Sequence, residues 1–307
     1  MAKYIIKRLL MMIPVMIGIT LFIYVILSMA PGDPAALILG PDATAEQLEA
    51  KQHELGLDQS IPVRYVKYIL GVLQGNFGFS WLSGFSVFDE FSSRFPTTLV
   101  LGLMALGLSV IIGVPLGMIA AIRQNKLIDH TTLVCAMLFS CLPGFWIGMM
   151  AQLFFCMKLG WLPVSGVGSF RHFIMPSLTL SLGMMASMIR LTRTSMLEVM
   201  NKDFVRTARS KGVMELKVYA VHVLRNGLLP VITQIGIGFA GIMGGAVVTE
   251  SVFAVPGIGS YLINAVKSRD IPVVMGSIIF IGLFVGIINL IVDFIYAFVD
   301  PRVKLDD

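Results

Sequence analysis

The stretch LLMMIPVMIGITLFIYVILSMA, residues 9–30, contains 22 residues and no charged side chain. An α-helix rises about 1.5 Å per residue, so about 20 apolar residues cross the roughly 30 Å hydrocarbon core of a bilayer. Lys3, Lys7 and Arg8 precede the stretch, as they would in a secretory signal peptide. However, the apolar run is long for a signal, and MAPGDP (29–34) is a poor cleavage site. We interpret the stretch as a retained membrane anchor.

Five further segments are long and apolar, at 97–122, 131–157, 173–195, 228–249 and 271–292. The uncharged part of 173–195 ends at Ile189, and Arg190 and Arg193 can extend this span into the cytoplasmic interface by snorkelling. The whole chain is 56% hydrophobic and 13% charged, with a mean hydropathy of +0.86. A soluble domain of this size has far more polar residues. The sequence therefore predicts an all-α polytopic membrane protein with six transmembrane helices. No linker or repeat divides it, so we expect a single transmembrane domain over residues 1–307.

Basic residues are distributed unevenly between the two sides that six spans define. With the N-terminus in the cytoplasm, 15 of the 23 Lys and Arg residues fall on the inner side and 8 on the outer side. The positive-inside rule therefore places both termini in the cytoplasm. The net charge of +5 is explained by these loops, and we expect no nucleic-acid partner.

Residues 31–96 form the longest hydrophilic stretch, which this topology places outside the cytoplasm. Thr44 and Gln47 have the spacing of a capping box, and Gly56 can end the helix that follows. The segment IPVRYVKYILGVL (61–73) is amphipathic, as interfacial helices are. We predict a partly folded extracytoplasmic insertion, serving either as a solvated cap or as a docking surface for an external partner.

The segment DFVRTARSKGVMELKVYAVHVLRNGLLP, residues 203–230, is basic although apolar spans flank it. If the positive charge were the only feature of this segment, an ordinary cytoplasmic loop would explain it. Phe204, Val205, Ala208 and Val213 lie among the charges, however, and this mixture is typical of a helix that docks in a groove of another protein. With Gly212 permitting a sharp turn, residues 199–227 are predicted to form two short helices at the cytoplasmic surface.

RTARSKG (206–212) and HVLRNGLLP (222–230) resemble the coupling motif of importer permeases of the ATP-binding-cassette class, and particularly the dipeptide, oligopeptide and nickel permease family. The resemblance covers nearly the whole chain through YIIKRLLMMIPVMIGITLFIYVILSMAPGDP (4–34), ELGLDQSIPVRYVKY (54–68), GNFGFS (75–80), ESVFAVPGIG (250–259) and RDIPVV (269–274). The general motif begins with an acid, whereas this chain has Arg206 there.

The resemblance implies one permease subunit of an ATP-driven importer in a bacterial inner membrane, carrying di- or oligopeptides by alternating access. Its partners would be a paralogous second permease, two ATP-binding-cassette subunits that bind ATP and Mg, and an extracytoplasmic substrate-binding protein. A surface helix would dock on the ATPase through Arg206, Thr207, Ala208, Gly212 and Glu215. The chain has no GxxxxGK[ST] phosphate loop and no HExxH, so we expect neither an enzyme nor a bound cofactor.

Residues near the outer end of segment five are the candidates for a path or gate. Glu250 is either a contact at the outer mouth or a helix-end acid facing water. Turn residues and a closing charged pair follow it, and the resemblance implies an outer gate there: Pro256, Gly257, Gly259, Arg269 and Asp270. The family usually has an aromatic residue after the charged pair, whereas Ile271 stands here.

Glycines and prolines indicate where helices bend or pack closely. Pro115 and Pro143 interrupt segments two and three. Gly244 and Gly245 either let segment five rearrange between access states or serve close helix packing. The methionines are interpreted as core filler and the four histidines are scattered, so no metal site is predicted.

Three alternatives stay open. Importers of nickel, a metallophore or glutathione share this scaffold, so the sequence leaves the cargo undecided. An ion-coupled secondary transporter would have inverted repeats and midplane carboxylates in broken helices, and the sequence suggests neither. A structural or assembly subunit would explain the spans but leave the basic segment without a function.

Overall fold

A computed structural model describes residues 2–299, apart from the side chains of 2–5, 293 and 295–299. The first half contains α1 (Ala2–Met29), α2 (Pro34–Leu39), α3 (Ala45–Glu54), α4 (Ile61–Leu73), α5 (Val87–Ile122), α6 (Leu127–Cys141) and α7 (Gly144–Ala151). The second half contains α8 (Arg171–Met200), α9 (Asp203–Ser210), α10 (Glu215–Lys217), α11 (Leu224–Gly227), α12 (Leu229–Val252), α13 (Ile258–Ser268) and α14 (Ile271–Val299). Two π-helical turns, Gln152–Lys158 and Val218–Val223, follow α7 and α10. The all-α prediction is confirmed, since the one β pairing within these ranges is an isolated bridge from Phe79 to Ser86.

Five of the described helices are long and apolar enough to cross a membrane by themselves: α1, α5, α8, α12 and α14. A sixth candidate is α6 with α7 and its π-helical extension, bent by 100° at the break. The break follows from Pro143, because the residue before a proline avoids the helical region and Leu142 is extended at φ −82°, ψ 136°. Pro115 does not interrupt α5, which is continuous from Val87 to Ile122.

The second span is longer than its apolar core. Residues 97–122 were predicted, whereas α5 begins ten residues earlier at Val87. Asp89 and Glu90 lie in its first turn, where carboxylates favour the helix dipole. Arg94 binds Glu90 one turn away, with Nη2 2.6 Å from Oε2. The insertion between α1 and α5 therefore ends before Val87 rather than at residue 96. Its helices are α2, α3 and α4.

The chain divides into two compact units. One consists of residues up to 96 together with 256–287, and buries Tyr24, Tyr65 and Met275 in one cluster. The Tyr65 hydroxyl donates to the Ile17 carbonyl at 3.0 Å. The capping box predicted in α3 is present, with both Thr44 and Gln47 hydrogen-bonded across the first turn.

The other unit consists, among the described residues, of 97–255 together with 288–299. In this unit α5 and α8 approach through Gly113 and Gly117, which have GxxxG spacing. A Cβ at Gly117 would lie 2.7 Å from the Ile189 carbonyl oxygen and 2.7 Å from Thr192 Cβ. The absence of side chains there lets the two backbones meet, as small residues do in membrane helix pairs.

Candidate functional site

The predicted coupling region, residues 199–227, contains most of the basic stretch 203–230 and is called the basic segment from here on. After the end of α8 it folds into α9, a left-handed turn, α10, a π-helical turn and α11. The turn is centred on Gly212, whose φ is +73°. Two hydrogen bonds close it, from Gly212 N to Arg209 O at 2.9 Å and from Val213 N to Ala208 O at 3.2 Å. Glycine suits this position because an L-residue pays a steric penalty in the left-handed region.

One face of the basic segment is anchored in its own chain. Val205, Val218 and Val223 are fully buried in a cluster with Ala121 of α5 and Met196 of α8. Movement of α9 relative to α8 would therefore disrupt a packed core, which tolerates little displacement. The segment is therefore packed directly against two of the spans.

The opposite face is open and carries both charges and apolar side chains. Phe204, Met214 and Leu216 are 44%, 67% and 71% exposed. Arg209 holds the face together by binding Glu215, with Nε 2.9 Å from Oε1. The hydrogen bond to the Glu215 carboxylate keeps the pKa of Arg209 above its usual range, so the guanidinium stays charged at neutral pH.

The structure places the predicted coupling residues on two different faces. Arg206, Thr207, Gly212 and Glu215 are exposed, whereas Ala208 is 8% exposed and belongs to the inward cluster. Ala208 therefore supports the segment from beneath. The exposed apolar side chains of α10 lie beside the predicted residues, and their exposure could be assigned only from the three-dimensional arrangement.

A cavity of about 520 Å³ lies among α6, α7, α8 and α12. Its wall is mostly apolar, with Phe139 and Phe145 on one side, and its polar lining residues include Ser140, Ser187 and Gln234. Ligand sites commonly combine such apolar walls with a few fixed polar groups. The cavity adjoins the break at Leu142 and Pro143, and broken helices at membrane depth often line a water-filled path.

The two glycines singled out in α12 differ in position. Gly245 lines the cavity and a Cβ there would lie 3.3 Å from Leu180, whereas Gly244 has open space around it. Close packing in α12 occurs instead at Gly238, where a Cβ would lie 2.6 Å from Met184 Cε. Met184 and Met188 are buried, consistent with their interpretation as core filler.

Glu250 does not face water, so its interpretation as a helix-end acid exposed to water is wrong. Its side chain is fully buried near the end of α12, and its Oε1 accepts a 2.6 Å hydrogen bond from Thr98 of α5. A buried carboxylate requires such partners because loss of hydration is expensive. Glu250 therefore joins the C-terminal end of α12 to the N-terminal half of α5.

The residues predicted for the outer gate lie in a turn and a short helix. Gly257 is the N-cap of α13 with an extended conformation, and Gly259 is buried inside the helix, while Pro256 is exposed. Ala254, two residues after the end of α12, has φ +49°. A non-glycine residue in that region indicates a tightly constrained turn.

Arg269 and Asp270 clamp two loops of their own unit. Arg269, with φ +55°, donates to the carbonyls of Ala30, Pro31 and Gly32, two of them at 3.0 and 2.7 Å. Asp270 is 4% exposed, and its Oδ2 accepts a 2.6 Å hydrogen bond from Ser80 Oγ. The pair thus fixes the chain after α1 and the GNFGFS loop to the start of α14.

Neighbouring groups form a polar cleft beside this clamp. The Arg94 guanidinium lies 4.6 Å from the centre of the Tyr261 ring. Burial, with smaller contributions from Glu90 and Asp270, raises the pKa of Tyr261 to about 12, so its hydroxyl stays protonated. Within the described ranges, no group of three His, Cys, Asp or Glu residues could hold a metal ion.

Solved transporters share the permease fold. The inward-facing MetNI methionine ABC transporter superposes with a TM-score of 0.60 at 15% identity, over 69% of this chain and 96% of that chain. An amino acid ABC transporter crystallised with histidines gives a TM-score of 0.51 at 15% identity, over 70% of this chain and 94% of that chain. At these identities the likeness shows the fold, which is that of a membrane-spanning component of an ABC transporter.

Relatives at higher identity define the family. The glutathione transport system permease protein GsiC of Escherichia coli (strain K12) is 41% identical over 304 residues, covering 99% of both chains. The protein of the same name from Shigella flexneri serotype 5b (strain 8401) is also 41% identical over 304 residues. Residues 113–305 match the binding-protein-dependent transport system inner membrane component, and residues 1–102 match its N-terminal part.

The chain belongs to the family of binding-protein-dependent transport system inner membrane components. It is a multi-pass permease of an ABC importer, and its class functions with an ATPase and a substrate-binding protein.

Proposed function

We propose that this chain forms half of the translocation path of an importer for short peptides, with glutathione, itself a tripeptide, as the first cargo to test. The relatives named for glutathione transport are similar along the full length. The cavity of about 520 Å³ has the size of a typical small-ligand site. Import of other oligopeptides, nickel or a metallophore by the same scaffold would be an outcome of the cargo test.

The coupling of ATP hydrolysis to transport is assigned to the basic segment. The observation that carries this assignment is its two-faced packing, with Val205 and Val218 buried against α5 and α8 while Met214 and Leu216 are exposed. Exposed apolar side chains at the end of a packed lever fit a groove on a partner protein. The ATPase subunits, not this chain, would bind ATP and Mg.

Docking contacts would come from Arg206, Thr207 and Glu215, together with Phe204, Met214 and Leu216, which are all exposed. Ala208 would act by holding α9 on the core, and Gly212 by setting the turn. Closure of two ATPase subunits would then shift the equilibrium between inward-facing and outward-facing states through differential contacts.

The remaining components follow from this arrangement. A paralogous permease would complete the path as a heterodimer, as the resemblance to the dipeptide, oligopeptide and nickel permease family implies. Both termini and the basic segment would lie in the cytoplasm. The α2–α4 insertion and the Arg269–Asp270 clamp would then lie outside, near an extracytoplasmic binding protein.

The experiment is gentle detergent purification of the tagged chain from its native membrane, followed by identification of co-eluting proteins and an ATPase assay. A second six-span permease and phosphate-loop ATPases should elute with it. Reconstituted into liposomes, the complex should import glutathione only with ATP and the binding protein. Import that follows an ion gradient without ATP would refute the proposal.

A further inference from the structure

Two arginines on α8 lie only three residues apart but have different surroundings. Arg193 is neutralised by Asp129 of α6, with its Nε 2.5 Å from Oδ1 and its Nη2 2.7 Å from Oδ2. Asp129 is fully buried and also accepts a hydrogen bond from Asn125 N at 2.9 Å. This arginine therefore has a bidentate acid partner and serves to join α6 to α8.

Arg190 has only neutral partners among the described residues. Its Nη1 donates to Ser140 Oγ at 2.9 Å and its Nη2 donates to Ser187 Oγ at 3.4 Å. No described carboxylate lies within ion-pair distance of it. The guanidinium has five N–H donors, so three remain for another acceptor.

The two serines place the Arg190 guanidinium at the cavity. Both Ser140 and Ser187 line it, on α6 and α8 respectively. Ser140 is eleven residues beyond Asp129 along α6, which corresponds to about 16 Å of helix. The charge is thus held beside the α6–α7 break rather than at the beginning of α6, where snorkelling to the interface would place it.

A cation inside a span without an acid partner is expensive and commonly marks a substrate path. The serine hydroxyls orient the guanidinium without neutralising it, since they accept its protons but carry no charge. We propose that Arg190, held at the edge of this cavity by two serines that line it, forms an anion-recognition site that binds a carboxylate of the passing peptide. The planar guanidinium suits bidentate binding of that group.

The inference rests on the proposed function for the identity of its cargo. Two measurements therefore distinguish a failure of the anion site from a failure of the proposed function. The first measures whether the cavity favours anionic over cationic reagents, and it requires no cargo. In a chain with Cys135, Cys141 and Cys156 replaced by Ala, Gly183→Cys introduces a thiol in the cavity, where a new Cβ meets nothing within 4 Å. The assembled complex is then labelled with two thiol-reactive thiosulfonate reagents in separate reactions. One reagent carries an anionic sulfonate group and the other a cationic trimethylammonium group.

The ratio of anionic to cationic labelling rates is the quantity compared. Because both reagents require the same thiolate, the ratio cancels any effect of Arg190 on thiol ionisation. Arg190→Gln should lower this ratio about fivefold or more, and Arg190→Lys should largely preserve it. Arg123→Gln is the matched control, since Arg123 is an exposed arginine just after α5 and its loss should leave the ratio unchanged. An unchanged ratio in Arg190→Gln would overturn the site.

The second measurement is ATP-driven glutathione uptake by the reconstituted importer. Arg190→Gln should reduce uptake about 10- to 100-fold, Arg190→Lys should restore part of it, and Arg123→Gln should behave as wild type. If wild type imports no glutathione, the proposed cargo is wrong while the labelling ratio still decides the anion site. If the ratio falls in Arg190→Gln but glutathione uptake does not, binding of the cargo carboxylate by Arg190 is refuted.

Discussion

Replacement of Gly212 by Val tests whether the turn of the basic segment transmits ATPase motion. Gly212 has φ +73°, and a Cβ there meets nothing within 4 Å. The penalty is therefore backbone strain, about 1–2 kcal/mol for an L-residue in the left-handed region, with a β-branched residue at the upper end or above. Such a penalty shifts a local equilibrium about 5- to 30-fold.

The strain acts on a short segment whose stability depends on its packing against α5 and α8. α9 has only eight residues, too few for an isolated helix to be stable, and the exposed Arg209–Glu215 pair adds less than about 1 kcal/mol. Gly212→Val should therefore loosen α9 and α10 while leaving the spans intact. We expect glutathione uptake per ATP hydrolysed to fall at least about fivefold at normal membrane abundance.

Two variants control for side-chain size and for strain elsewhere. Gly212→Asn should retain most uptake, because Asn tolerates the left-handed region. Gly75→Val places the same residue at the matching helix-end position after α4, where φ is +82° and a Cβ also meets open space, and should leave glutathione uptake per ATP hydrolysed unchanged. Wild-type uptake in Gly212→Val, or equal losses in Gly212→Val and Gly212→Asn, would refute the reasoning.

Three further predictions concern packing and polar contacts inside the chain. Gly117→Ala should lower the thermal stability of the purified complex, by about 1–3 kcal/mol from overpacking against α8, whereas Gly107→Ala in the same helix meets open space and should be neutral; equal melting curves would contradict the close helix approach. Arg193→Gln leaves the buried Asp129 carboxylate unpaired, which costs about 3–5 kcal/mol, and a double variant that also carries Asp129→Asn should recover membrane abundance; no recovery would argue against the pair. Ser80→Ala removes a 2.6 Å hydrogen bond to a buried carboxylate and should increase proteolysis of the GNFGFS loop in right-side-out vesicles, at a cost of about 1–3 kcal/mol; unchanged proteolysis would mean that the clamp does not hold this loop.

Much of the helical architecture was predictable because apolar length is a local property. The predicted anchor lies within α1 except for Ala30, and segments five and six correspond to α12 and the first part of α14. The capping box at Thr44 was equally readable, since both partners lie within one turn. The extension of α5 to Val87 was missed because the first turns of this helix contain charged residues, and a search for apolar stretches does not detect them.

The candidate site was only partly readable from sequence. The mixture of charges and apolar residues in 203–217 indicated a docking surface, and the turn at Gly212 followed from glycine's tolerance of positive φ. The inward position of Ala208, however, depends on the packing of α9 against α5 and α8. The alternation of faces in a short helix does not reveal which face meets the core.

Sequence by itself determined the class of this protein, because spans, charge bias and the coupling segment are written in consecutive residues. Only the tertiary structure decided which partner each charged side chain meets. Glu250 meets Thr98 and Asp270 meets Ser80 across 152 and 190 residues, while Arg190 and Arg193, three residues apart, receive serines and an acid respectively. Electrostatic free energy depends on distance and burial in space, and separation along the chain specifies neither.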